Sequence, residues 1–269
     1  MSILRSGFSE RVFEFSFNAE YANRNRAVLA GAPSIPTQNE EKSLGYDVMF
    51  EVNARGGAVH AVALQHKVVR FIDKLAATNG EFWSAAEGPY YAFRLDTDQY
   101  NLIESLATAG MPGVEFHYCA PLFATRSDMN DHYIAGSVEA NSLWIDVAGA
   151  GQITDMDGHT IVYRQDGRKA FRFSEVPQEL AVISEVDRRI QWSERRSRTL
   201  ESPEQIYEVA LSRLREYWPE RRHKVRRRSE TADGLYPSKL PNELAPTLKN
   251  AGRLLADYFG LSLLVEVRR

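Results

Sequence analysis

The stretch Gly45-Tyr46-Asp47-Val48-Met49-Phe50-Glu51-Val52-Asn53-Ala54-Arg55-Gly56-Gly57-Ala58-Val59-His60-Ala61-Val62-Ala63-Leu64-Gln65-His66-Lys67 decides how this chain is read. Val48 to Val52 and Val59 to Leu64 are rich in β-branched and apolar side chains, which suits strands. Between them Asn53-Ala54-Arg55-Gly56-Gly57 supplies the residues of a tight turn. A turn centred on Gly56 sets Asp47 opposite Gln65 and Gly45 opposite Lys67. Side chains alternate faces along a strand, and directly opposed residues share a face. Asp47, Gln65 and Lys67 are therefore predicted on one face, with His66 on the other. A bulge would shift this register by one and break the arrangement. A carboxylate, an amide and an ammonium gathered in this way suit a divalent metal beside a phosphate.

Working outward, Glu40 and Glu41 lie just upstream. Pro33 and Pro36 precede them, and Thr37 or Asn39 suits the cap of a short helix ending near Gly45. One glutamate of that helix would turn toward Asp47; Glu41 is preferred, with Glu40 as the alternative. Downstream, Tyr90 to Leu95 reads as a strand. Asp98 to Ala109 carries Tyr100, Ile103, Leu106 and Ala107 at helical spacing, stopped by Gly110 and Pro112. Val114 to Cys119 alternates like a half-buried strand. Leu143 to Val147 and Thr160 to Arg164 read as further strands, the second flanked by the turns Asp157-Gly158 and Asp166-Gly167.

These residues resemble the PD-(D/E)XK nuclease superfamily. Its signature is an acid on a first helix, an Asp opening a strand, and (E/Q)-x-K on the next strand. Glu41 or Glu40, Asp47, Gln65 and Lys67 match it in the Gln variant, with Tyr46 where a Pro often stands. The likeness covers roughly residues 36 to 120. It implies a core order of helix, three strands, helix, strand. It also implies magnesium, with manganese as a substitute, held by Asp47, the Gln65 side chain and the His66 carbonyl. The chemistry has a physical basis. Magnesium takes oxygen ligands, keeps several waters and lowers the pKa of a bound water. Lys67 would orient the attacking water or stabilise charge building on the phosphate. Gln65 in place of a carboxylate removes one negative charge, which Glu41 would offset. The competing reading takes Asp47 and Lys67 as solvated strand-end residues, or the fold as one that binds without catalysing.

Composition sets the outer limits. The 269 residues are 43% hydrophobic and 11% aromatic, enough for one large domain or a domain with a smaller unit. No window approaches the apolar length of a membrane span, so no membrane partner is expected. The start lacks a basic segment followed by an apolar run, and the single Cys119 cannot pair within the chain; a cytoplasmic setting is expected. The six histidines lack the paired spacing of a zinc site. His117 reads as a satisfied, half-buried histidine, and Trp83, Tyr90 and Tyr91 as core aromatics rather than base-stacking platforms. No G-x-S-x-G, P-loop or G-x-G-x-x-G motif occurs in a suitable setting.

Charge divides the chain. Residues 1 to 186 carry 15 Lys and Arg against 24 Asp and Glu, whereas residues 187 to 269 carry 18 against 12. Within the second region, Ser202-Pro203-Glu204 opens a helical pattern through Ile206, Val209, Leu214 and Trp218. A second pattern runs through Leu244, Leu248, Leu255 and Tyr258, and Leu261 to Val267 suits a closing strand. Between the helices, Arg221, Arg222, Lys224, Arg226, Arg227 and Arg228 form a basic run that would attract phosphate; the alternative is an ordinary solvated charge run.

The expected architecture is therefore α/β: a mixed central sheet flanked by helices, with a restriction-endonuclease-like core over 1–186 and a basic, mainly helical region over 187–269. The expected function is magnesium-dependent endonuclease action on DNA. By family analogy the setting is restriction or anti-phage defence, with a homodimer or a partner protein of such a system. The alternative is a non-catalytic nucleic-acid-binding or protein-interaction module on the same fold.

Overall fold

A computed structural model describes residues 3–37, 45–53, 59–108, 114–155, 158–173 and 177–183. Glu40 and Glu41, with the helix expected around them, lie outside these residues. So does the whole 187–269 region with its basic run.

The hairpin forms as its sequence dictates. Strand β2 (Val48–Asn53) pairs antiparallel with β3 (Val59–His66), from Val48 opposite Leu64 to Asn53 opposite Val59. The register runs unshifted from Val48 to Asn53; just before it the Asp47 amide also donates to the Leu64 carbonyl, at 2.9 Å, where strict alternation would aim it away from β3. On its other side β3 runs parallel to β6 (Val114–Pro121), with Gln65 beside Tyr118. Parallel neighbours need a crossover, and the chain makes a long one. It leaves β3 through β4 (Arg70–Ile72), helix α2 (Gly80–Ala86) and β5 (Tyr90–Arg94), then returns along α3 (Thr97–Thr108). Strand β5 was expected to join the hairpin's neighbourhood as a third core strand. Instead it pairs with β4 and β8 (Thr160–Arg164), in the other half of the sheet.

Helix α4 (Arg126–Ala135) follows β6, opened by a reciprocal cap between Thr125 and Asp128 and closed by Gly136 in the left-handed region. Strand β7 (Ser142–Asp146) pairs with β6, and the turn at Asp166-Gly167 joins β8 to β9 (Ala170–Phe173). Gly167 has φ +67°, which a side chain would oppose. With β1 (Ile3–Arg5) and β10 (Gln178–Val182), the mixed sheet has ten strands in the order β1-β4-β5-β8-β9-β10-β7-β6-β3-β2.

Strand β10 holds the two halves together. Its first residues, Gln178 to Leu180, pair with β9, and Ala181 and Val182 pair with β7. A strand that changes partners midway marks a corner in a sheet. The halves face each other across one core: Phe93 of β5 lies 6.0 Å from Tyr118 of β6, ring to ring, and the Tyr163 hydroxyl donates to the Pro121 carbonyl at 2.6 Å. Tyr100, Ile103 and Leu106 of α3 close this core.

The opposite face of β2, β3 and β6 is covered by α1 (Glu10–Arg24). Ser9 caps α1 by accepting from the Val12 amide. Phe13, Phe17 and Tyr21 recur every four residues and pack on Val48, Phe50, Val62, Leu64 and Trp144. Phe13 and Phe17 are wholly buried, and each such ring stabilises by about 1.5–3 kcal/mol. Cys119 is buried on this same face. Among the described residues, no helix is long and apolar enough to cross a membrane.

Candidate functional site

The end of β3 is the point where both helical layers reach the sheet edge. Helix α1 brings its first turns to one face, and α3 brings its first turn to the other. Asp47 enters from the start of β2, and Gln65, His66 and Lys67 leave from the end of β3. Asp47, Gln65 and His66 are buried, while Lys67 and Gln99 are half-buried.

The Gln65 Nε2 group donates to both Asp47 oxygens, at 2.8 and 2.9 Å. The His66 backbone amide donates to Asp47 Oδ2 at 2.6 Å. His66 points its ring to the α1 side, as strand alternation requires, between Phe13 at 5.8 Å and Phe17 at 5.2 Å. Its Nδ1 nonetheless comes within 3.5 Å of Asp47 Oδ2, because the carboxylate sits at the very end of the strand. On the α3 side, Gln99 Nε2 donates to Gln65 Oε1 at 2.8 Å, and Lys67 Nζ donates to Gln99 Oε1 at 3.0 Å. Asp47, Gln65 and Lys67 thus converge.

Three acids share the site's electrostatics. Burial alone would push the Asp47 carboxyl up. The hydrogen bonds and charge of His66, with the charge of Lys67, outweigh it and hold the group below its ordinary range. Glu10 and Glu14, one turn apart on α1, go the other way. Burial lifts both, and the negative charge of Asp47 adds to the lift, although Lys67 and a backbone hydrogen bond from Val68 pull Glu10 back.

Glu10, Glu14 and Gln99 had not been singled out from the sequence. The first two had a signal: Ser9 as a cap, an acid in the first turn, and aromatics at Phe13, Phe17 and Tyr21. It was obscured because Val12-Phe13-Glu14-Phe15-Ser16-Phe17 also alternates like a strand. Gln99 had a weaker one. Asp96-Thr97-Asp98-Gln99 has the form of a capping box, and the Asp96 carboxylate does accept from the Gln99 amide at 3.0 Å. The Gln99 side chain, however, reaches across to β3.

Among the described residues, no three His, Cys, Asp or Glu side chains come together closely enough to cage a metal ion. No protein-family model, curated protein or solved structure matches the chain.

Proposed function

We propose that this protein is a metal-dependent phosphodiesterase acting on nucleic acid, DNA first, with its active site at the end of β3. The observation that carries the reading is the convergence of Asp47, Gln65 and Lys67, through their side-chain hydrogen bonds, at the open end of the β2–β3 hairpin. The order of elements around it adds support: an acid-bearing helix, the hairpin, a helix, and then a strand parallel to the one bearing Gln-x-Lys. We read it as a variant of the restriction-endonuclease-like order in which β4, α2 and β5 are diverted to the far half of the sheet.

The donors suit a hard cation in kind. Glu10 and Glu14 are carboxyls lifted by burial beside a third acid, an environment that added positive charge would relieve. Magnesium keeps most of its waters and needs only one or two carboxylates, so Asp47 with the His66 carbonyl, and an acid from α1, would hold it. When bound it would supply an activated water and neutralise phosphate charge. The chain's own residues supply the rest. Asp47 is held in place by the His66 amide and kept ionised. Lys67, on the strand end past His66, reaches a phosphate oxygen or the attacking water. The basic residues Arg221 to Arg228 supply charge for phosphate docking.

A second reading has one observation in its favour. The Gln65 NH2 group occupies the two Asp47 oxygens that a cation would use, as suits a fold that binds without cutting. Cleavage of linear, supercoiled and single-stranded DNA and of RNA separates the two. Magnesium or manganese should support cutting by the full chain, and EDTA should abolish it. Nucleic acid bound but uncut under every metal condition would favour the binding module.

A further inference from the structure

Between Lys67 and Asp47 stand two amides in series, and the charged ends dictate how each amide is turned. An ammonium can only donate and a carboxylate can only accept. Lys67 Nζ therefore faces Gln99 Oε1 at 3.0 Å, Gln99 Nε2 faces Gln65 Oε1 at 2.8 Å, and Gln65 Nε2 faces both Asp47 oxygens. Turning Gln65 alone would set NH2 against NH2 at Gln99 and oxygen against oxygen at Asp47. Turning both would set the Gln99 NH2 group against the ammonium. Every member of the chain is at least half-buried, where such mismatches cost most.

Resting on the nuclease reading above, we propose that Gln99 is a positioning residue that couples cation entry at Asp47 to release of Lys67. For Gln65 to offer oxygen to a cation beside Asp47, its amide must turn over. Its NH2 group then faces Gln99, which can accept only by turning as well. The turned Gln99 presents NH2 to Lys67, and the ammonium leaves for a phosphate oxygen. Without a cation the same chain keeps Asp47 covered and Lys67 occupied. Gln99 is suited to the task because its backbone is fixed by the Asp96 cap at the start of α3, leaving only the side chain to turn.

The test follows the side-chain NH2 signals of Gln65 and Gln99, and the Lys67 ε-methylene signal, by NMR on the isotope-labelled full chain during a magnesium titration. Coupling requires all three to shift with one midpoint. Gln99→Met removes the lock without adding charge and should tighten the magnesium midpoint about fivefold. A Gln65 signal that moves while Gln99 and Lys67 stay still would overturn the proposal. So would a Gln99→Met midpoint that is unchanged or weaker; if that variant does not fold, the wild-type titration decides alone. No magnesium-dependent shift at all would remove the metal reading of the site, and this coupling with it. The relay is read separately in metal-free Lys67→Met, where the Gln99 NH2 signal moves if the ammonium directs it and stays if it does not.

Discussion

Lys67 is joined to Asp47 by two amides in series rather than by a direct ion pair. The arrangement keeps two opposite charges in communication at the end of β3 without a direct contact between them. It also makes the site sensitive to single substitutions at neutral residues.

Gln65 is the first of these. It supplies two of the hydrogen bonds on a buried carboxylate, and an unsatisfied charged group in such a place is costly. Gln65→Leu should destabilise the fold by about 2 kcal/mol, lowering Tm by about 4–8 °C. Urea denaturation measures the loss, and Asp47→Asn in the Gln65→Leu background should restore part of it by removing the stranded charge.

Stability should depend on pH with two opposite limbs. Asp47 is held below its ordinary 3.8, so its contribution is full above that pH and is lost as the pH falls through the depressed native value. Glu10 and Glu14 are raised above 4.5, so their charged forms cost stability above the raised values, and the cost disappears as the pH falls to 4.5. Acidification from neutral should first stabilise and then destabilise. Glu10→Gln with Glu14→Gln should remove the initial gain, and Asp47→Asn should flatten the later fall, both read from urea midpoints across the range.

Arg172 tests the packing behind the site. This buried guanidinium donates to the Tyr100 hydroxyl and the Gly151 carbonyl with one nitrogen and to Gln178 Oε1 with another, and it lies 5.0 Å over the Tyr100 ring. It ties α3, which carries Gln99, to β9 and β10. Arg172→Met should cost about 2–3 kcal/mol by thermal or chemical denaturation, because several charged hydrogen bonds vanish together. Arg172→Lys should recover little, since one ammonium cannot span the three acceptors.

Local chemistry accounts for what was legible in the sequence. The hairpin was readable because β-branched runs flank a Gly-Gly turn and a two-residue period fixes the faces. Helix α3 was readable from Tyr100, Ile103 and Leu106. Other features depend on distant partners. The place of β5 is set by pairing with β8, and its own alternation cannot say which strand it joins. Gln99 meets Gln65 across 34 residues of chain, and no period or cap announces such a contact. Helix α1 lies between these cases: its cap and four-residue aromatic spacing were visible, but an equally good strand alternation competed with them.

The most direct test of the central claim is a double-mutant cycle on nucleic-acid cleavage with Asp47→Asn, Lys67→Ala and the pair. Residues that act together on one reacting centre are strongly non-additive. Wild type should cleave with magnesium, each single variant should lose at least about 100-fold in kcat/KM, and the pair should lose little more. Cleavage that survives both single substitutions, or no cleavage by the folded wild-type chain with any metal and substrate, would contradict the assignment of this site as a nuclease centre.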